Sequence, residues 1–246
     1  QKFILHGFAI KEIIGGIQLE SNSKKIKIKV TDPFSVYSLI RTLIETYLVQ
    51  NYLSNQLIEE DILQGRFEIW MRYGLKQRGI KAETEEEKSV LDKDRESIKY
   101  FDKKIKDRNF FKNLSQDKKI SFLKTINKEW KIDFKEDKFY PLSWKQLLKQ
   151  AGVKDGINDQ VYNFLSWHAH TQSISVLQLK DMWNKDFDKD SLRIAVNKLN
   201  MFIAFMISDI VKADLDFLEA FEDLNIELKE IVEFYNLSFR GSNFLI

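Results

Sequence analysis

The chain of 246 residues contains no cysteine, which removes disulfides, thiolate metal sites and a cysteine nucleophile together. It is also poor in the residues that reverse a chain. With 2 Pro and 9 Gly, it lacks the turn material that an all-β sandwich or barrel needs, and long helices are the natural alternative. Neither sign of charge is in excess: 39 Lys+Arg stand against 37 Asp+Glu, a formal charge of +2. Net charge therefore gives no support to a nucleic-acid partner, which needs a concentrated basic face, and leaves it open only through a face assembled by folding. The longest apolar run, MFIAFMI from Met201 to Ile207, is far short of the roughly 20 residues that span a bilayer. No membrane partner is expected, and no secretory signal is visible, although the chain opens at Gln1. The expectation is a soluble, cytoplasmic protein.

What is present is apolar material: 43% of residues are hydrophobic, enough for a real core. Residues 3–14 fit a short helix stopped by Gly15 and Gly16. Ile17 and Leu19, then Ile26, Ile28 and Val30, fall at period two around a Ser-Asn-Ser turn, the pattern of a β-hairpin over 17–30. Asp32 and Pro33 then read as the N-cap and first residue of a helix. That helix, from 33 to about 57, has Arg41 and Glu45 as its only charges, so it is expected to be buried on most of its circumference. The wheel places both charges on an arc with Phe34, Leu48 and Tyr52. A further helix is expected to end near Gly79.

Residues 81–119 are charge-dense, with a thin seam of Leu91, Ile98, Phe101 and Ile105. Both signs interleave, so the pattern fits a long solvated helix touching the body along one stripe, with pairs such as Asp102 and Lys106. Residues 115–130 look helical, and 131–142 look like a connector. Ser143 and Gln146 match a capping box, and Gly152 stands where a left-handed C-cap belongs. The hairpin at 17–30 is then the one substantial β element. The fold class is mainly α: a multi-helix bundle, one domain over 1–246.

The candidate chemistry gathers in VYNFLSWHAHTQS, residues 161–173. Tyr162, Ser166 and His170 are spaced by four and stack along one helix face, while His168 points elsewhere. The two histidines do not have the spacing of a helical metal pair. "DFDKD", with Asp186, Asp188 and Asp190, begins like a calcium loop, but Ser191 and Asn197 fill positions that require glycine and glutamate. No metal and no cofactor is expected. Arg41 and Glu45, nearly buried, need further hydrogen-bonding partners, and Tyr162, Ser166 and His170 are the residues placed to supply them. We therefore expect Arg41 or Glu45 to lie within hydrogen-bonding distance of that face. This polar cluster of Arg41, Glu45, Tyr162, Ser166 and His170 has two readings. It is a clasp between two helices, the stronger reading, or a catalytic site with His170 as acid/base and Arg41 on a phosphate.

The segments RTLIETYL and YNFLSWHAHT resemble an uncharacterised, mostly helical bacterial family, a domain of unknown function with an Arg-x-x-x-Glu helix and, far downstream, Tyr-x-x-Leu-Ser-x-x-x-His. The resemblance covers roughly residues 33–210 and implies a helical bundle with no established activity. More broadly the chain is similar to HEPN helical bundles, many of them RNA-cleaving toxins or defence proteins. Those nucleases carry an arginine shortly before a histidine on one helix; here no arginine lies between Arg108 and Arg193. The expected function is an intracellular binding or regulatory module, stress- or defence-associated. Its partner is expected to be protein, contacted through 81–119, with self-association open. The alternative is a metal-independent ribonuclease or phosphate-ester hydrolase.

Overall fold

Asp32 Oδ1 accepts from the backbone N–H groups of Phe34 (3.0 Å) and Ser35 (3.2 Å), and Pro33 opens the helix that follows. The same local code sets most element boundaries. The computed structural model describes the chain except residues 22–25, 56, 80, 136, 158–162, 164, 167–176 and 178–186. Its elements are α1 (Lys2–Ile14), β1 (Ile17–Ser21), β2 (Ile26–Val30), α2 (Pro33–Ser54), α3 (Glu60–Gln77), α4 (Glu85–Asp107), α5 (Asn109–Lys112), α6 (Gln116–Thr125), β3 (Ile132–Lys135), β4 (Lys138–Pro141) and α7 (Trp144–Gln150). After these come α8 (Phe187–Ala213), α9 (Leu215–Glu222), α10 (Ile226–Phe239) and a final 3-10 turn, Ser242–Phe244.

The protein is mainly α, with β1 and β2 forming an antiparallel hairpin in which Ile17 pairs with Val30 and Ser21 with Ile26. A second hairpin corrects the reading of 131–142 as a connector: β3 and β4 pair antiparallel, Ile132 against Pro141 and Lys135 against Lys138. Four-residue strands are too short to show a period of two in sequence, and Pro141 is tolerated because it sits at a strand end. The chain groups into two compact units, Gln1–Asn51 with Leu148–Ile246, and Tyr52–Leu147.

In the first unit α2 buries Val36, Tyr37, Ile40, Leu43, Ile44, Tyr47, Leu48 and Asn51. Arg41 and Glu45 share the arc of the buried Leu48 and Tyr52, and each of the two charged side chains keeps some solvent. The opposite face is closed by hydroxyls, Thr42 donating to Ser38 O at 3.0 Å and Thr46 to Thr42 O at 2.8 Å. α8 runs through Met201, Phe202, Ala204 and Phe205, all buried. A small core joins it to α9 and α10 through Ala204, Val211, Phe221 and Val232. By length and composition alone, Leu192–Ala213 would also cross a membrane, although half of it is buried within the fold. An uninterrupted-run criterion misses it because isolated polar residues divide its apolar content.

In the second unit α3 packs on α4. Phe110, Phe111, Phe122, Ile126 and Ile132 form a core against which Phe134 and Phe139 pack. α4 begins with a capping box, Thr84 with Glu87, and its seam is narrow, with Ile105 buried and Leu91, Ile98 and Phe101 partly so. Its charges otherwise face solvent, except that Asp94 is buried and accepts from Arg78 Nη1 at 3.1 Å, and Asp102 accepts from Arg72 Nε of α3 at 2.5 Å, an interhelical pair in place of the expected pair with Lys106. The capping box of α7 is present, with Ser143 N donating to Gln146 Oε1 at 2.7 Å, and Gly152 has φ +82°.

Candidate functional site

Arg41 Nε donates to Glu45 Oε1 at 3.0 Å, one turn along α2, and Arg41 Nη1 lies 3.4 Å from Ser166 Oγ. Helical spacing thus aligns the pair, and tertiary folding brings the hydroxyl to it across 125 positions of sequence. Leu165, beside Ser166, is buried. Tyr162, His168 and His170 lie outside the described residues. The Arg41 and Glu45 side chains are 15% and 26% exposed, so the pair is neither sealed nor open. Chemically, a guanidinium with a carboxylate already on its Nε is a weakened anion receptor, because Glu45 cancels the local charge that would attract a phosphate.

A second cluster in the same unit had no local signature in the sequence. Asp209 on α8 accepts from Tyr47 OH (2.9 Å) and Asn51 Nδ2 (2.8 Å) on one oxygen, and from Arg240 Nη2 (2.7 Å) on the other. Arg240, whose side chain is 0% exposed, also donates to Ala151 O (2.8 Å), Phe205 O (3.4 Å) and Asn236 Oδ1 (3.1 Å). Its guanidinium lies 3.8 Å from the Phe244 ring centroid. All three guanidine nitrogens are engaged and the side chain is fully buried, so this cluster fixes the C-terminal segment. Burial pushes the Tyr47 phenol well above its ordinary pKa, the Arg240 charge opposes that shift, and Asp209 adds to it, so Tyr47 stays a neutral donor. Its one visible hint is Asp209 itself, an acid at the end of the apolar stretch that begins at Met201.

The second unit buries three charged residues of α3, Arg66, Glu68 and Arg72. Arg66 pairs with Asp133 (3.0 Å) and stacks on the Tyr52 ring, 4.3 Å from its centroid. Glu68 pairs with Arg108, whose pKa the Glu68 hydrogen bond raises against a smaller desolvation effect. Arg72 joins Asp102, Ile126 O and Asn127. These charges tie α3 to α4, α5 and the β3 hairpin. Among the described residues, no group of three His, Asp or Glu is arranged to hold a metal ion.

Among the described residues, two apolar surfaces stand out. A groove of about 510 Å³ runs between α1 and α8, lined by residues that include Phe3, Ile4, Phe8, Leu199 and Ile203, with Lys11 at its edge. On α10, Ile226, Phe234 and Leu237 are 64%, 61% and 50% exposed, and Leu228 and Ile231 are exposed as well. Of that helix's aliphatic residues only Val232 is buried.

A family model described as a family of unknown function (DUF5677) matches residues 28–190, about two thirds of the chain. The chain belongs to this family. The DUF5677 match takes in α2 with Arg41 and Glu45, the Ser166 region and the whole second unit, and it ends before Asp209, α9 and α10. Comparison with curated proteins and with solved structures gives no match.

Proposed function

We propose that this member of the DUF5677 family is a helical protein-binding module that acts through the outward face of α10. One observation carries the reading: α10 presents Ile226, Leu228, Ile231, Phe234 and Leu237 to solvent on a helix whose inner side is anchored to α8. A cluster of exposed apolar side chains along one helix marks an interaction site more often than an idle one. The polar clusters support the same reading, since Asp209 and Arg240 satisfy each other and the Arg41 guanidinium is occupied by Glu45 and Ser166. A cytoplasmic, regulatory, stress- or defence-associated role belongs to the proposal through the resemblance to HEPN-like bundles. The test is co-purification from the protein's own host, with partners identified by mass. The combined variant Ile226→Ser/Phe234→Ser/Leu237→Ser should lose the principal partner with its melting temperature unchanged, and retention of that partner refutes the module.

A second reading rests on Arg41 and Ser166: a partly exposed arginine beside the face that, by spacing, also carries His170. It makes the protein a metal-independent ribonuclease. Purified protein would then cleave RNA, and His170→Ala would abolish cleavage without lowering the melting temperature. Absence of cleavage in the parent removes this reading.

A further inference from the structure

We propose that the partner of the α10 face is a basic amphipathic helix. This rests on the binding-module reading and adds the chemistry of what is bound. The apolar residues of the outward arc are interleaved with Glu227, Glu230 and Glu233. Between Asp214 and Phe239 there are eight acidic residues and one basic residue, Lys229. That lysine is taken, its Nζ lying 3.2 Å from Glu222 Oε2 and also donating to Glu222 O.

The neighbouring cations are also committed elsewhere. Arg240 is turned inward to Asp209, Lys212 donates to Asn243 O at 2.8 Å, and Lys154 donates to the carbonyls of Leu237 (3.2 Å) and Ser238 (2.7 Å) at the far end of α10. Glu227, Glu230 and Glu233 are therefore a fixed negative fringe on an apolar surface. A partner that covers the apolar residues must come close to these carboxylates, and only positive charge makes that approach favourable.

The alternatives fare worse on the same ground. A second copy docked through this face would set Glu227, Glu230 and Glu233 against their own equivalents, and like charges at an interface are costly. An anionic lipid surface would be repelled for the same reason. A helical partner also suits the spacing: the exposed Leu228, Ile231, Phe234 and Leu237 repeat at intervals of three, one of the ridge directions that pack into the grooves of another helix. The platform is rigid, because Asn236 and Arg240 bind α10 to α8 at its inner face, so little ordering cost is added on docking.

The test uses the full chain and two synthetic helices of about five turns, each with one leucine face, the polar face being lysine in one and glutamate in the other. Calorimetric titration should show binding of the lysine peptide that weakens with added salt, and none of the glutamate peptide. Phe234→Ser and, separately, Glu227→Lys/Glu230→Lys/Glu233→Lys should each weaken the lysine peptide by about tenfold or more; all four positions are exposed, so an unchanged melting temperature is expected. Equal binding of both peptides, lysine-peptide binding that survives charge reversal, or a dimer of the parent chain abolished by Phe234→Ser would each overturn the proposal. If the host partner is lost in the serine variant while the lysine peptide fails to bind, the module stands and the basic helix falls.

Discussion

Asp209, its side chain 18% exposed, shows what a single half-buried acid requires. It accepts three hydrogen bonds, and only the one from Arg240 carries compensating charge. Tyr47→Phe removes one neutral donor and leaves Asn51 and Arg240 in place, a loss of about 1 kcal/mol. Arg240→Met strands the carboxylate and should cost about 3–5 kcal/mol; urea denaturation of both variants measures the ratio, and equal losses would contradict the assignment. A pH dependence follows at Glu87, where the backbone N–H groups of Glu83 and then Thr84 hold the carboxyl below its ordinary pKa. A depressed folded pKa contributes stability above the unfolded value and loses it as the pH falls through the folded one. The gap in melting temperature between parent and Glu87→Gln should therefore narrow below the ordinary glutamate range, and a constant gap would contradict it. Local pairings of this kind were legible in sequence: Asp32 with Phe34 and Ser35, and Ser143 with Gln146. Arg41 with Ser166 was legible because two lone charges on an apolar helix demand partners. Arg240 with Asp209 was not, since nothing local marks a partner 31 residues away.

At the scale of elements, α3 provides two glycines with opposite expectations. A Cβ on Gly65 would lie 2.2 Å from the Phe110 ring, which is held by Phe122 and Phe134, so Gly65→Ala should destabilise by about 1–3 kcal/mol through overpacking. Gly74 meets nothing within 4 Å, so Gly74→Ala should stabilise by up to about 1 kcal/mol through helix propensity. Thermal melts of the two variants should move in opposite directions, and shifts of the same sign would refute the α3–α5 packing. The long helices were readable because their apolar residues repeat over several turns. The hairpin at Ile132–Pro141 was not, because its strands are four residues each and their stability comes from packing, with Ile132 and Phe134 meeting Phe122 and the Tyr52 hydroxyl bonded to Ile132. The charged helix α4 was read as a solvated rod, and its apolar seam does meet α3, but Asp102 serves Arg72 in place of its own helix.

For the whole molecule, the family match covers residues 28–190, whereas the surface that best explains a binding role lies beyond it on α10. Composition over the full chain hid that surface, because a net charge of +2 averages an acidic C-terminal segment with a lysine-rich remainder. The most direct test is hydrogen exchange of the full chain, with and without the partner that co-purifies from its host. Amides of Ile226–Phe239 should exchange more slowly in the complex, while those around Arg41 on α2 keep their rates. Protection confined to α2 around Arg41, with α10 unchanged, would contradict the binding role of α10 and return attention to the polar cluster.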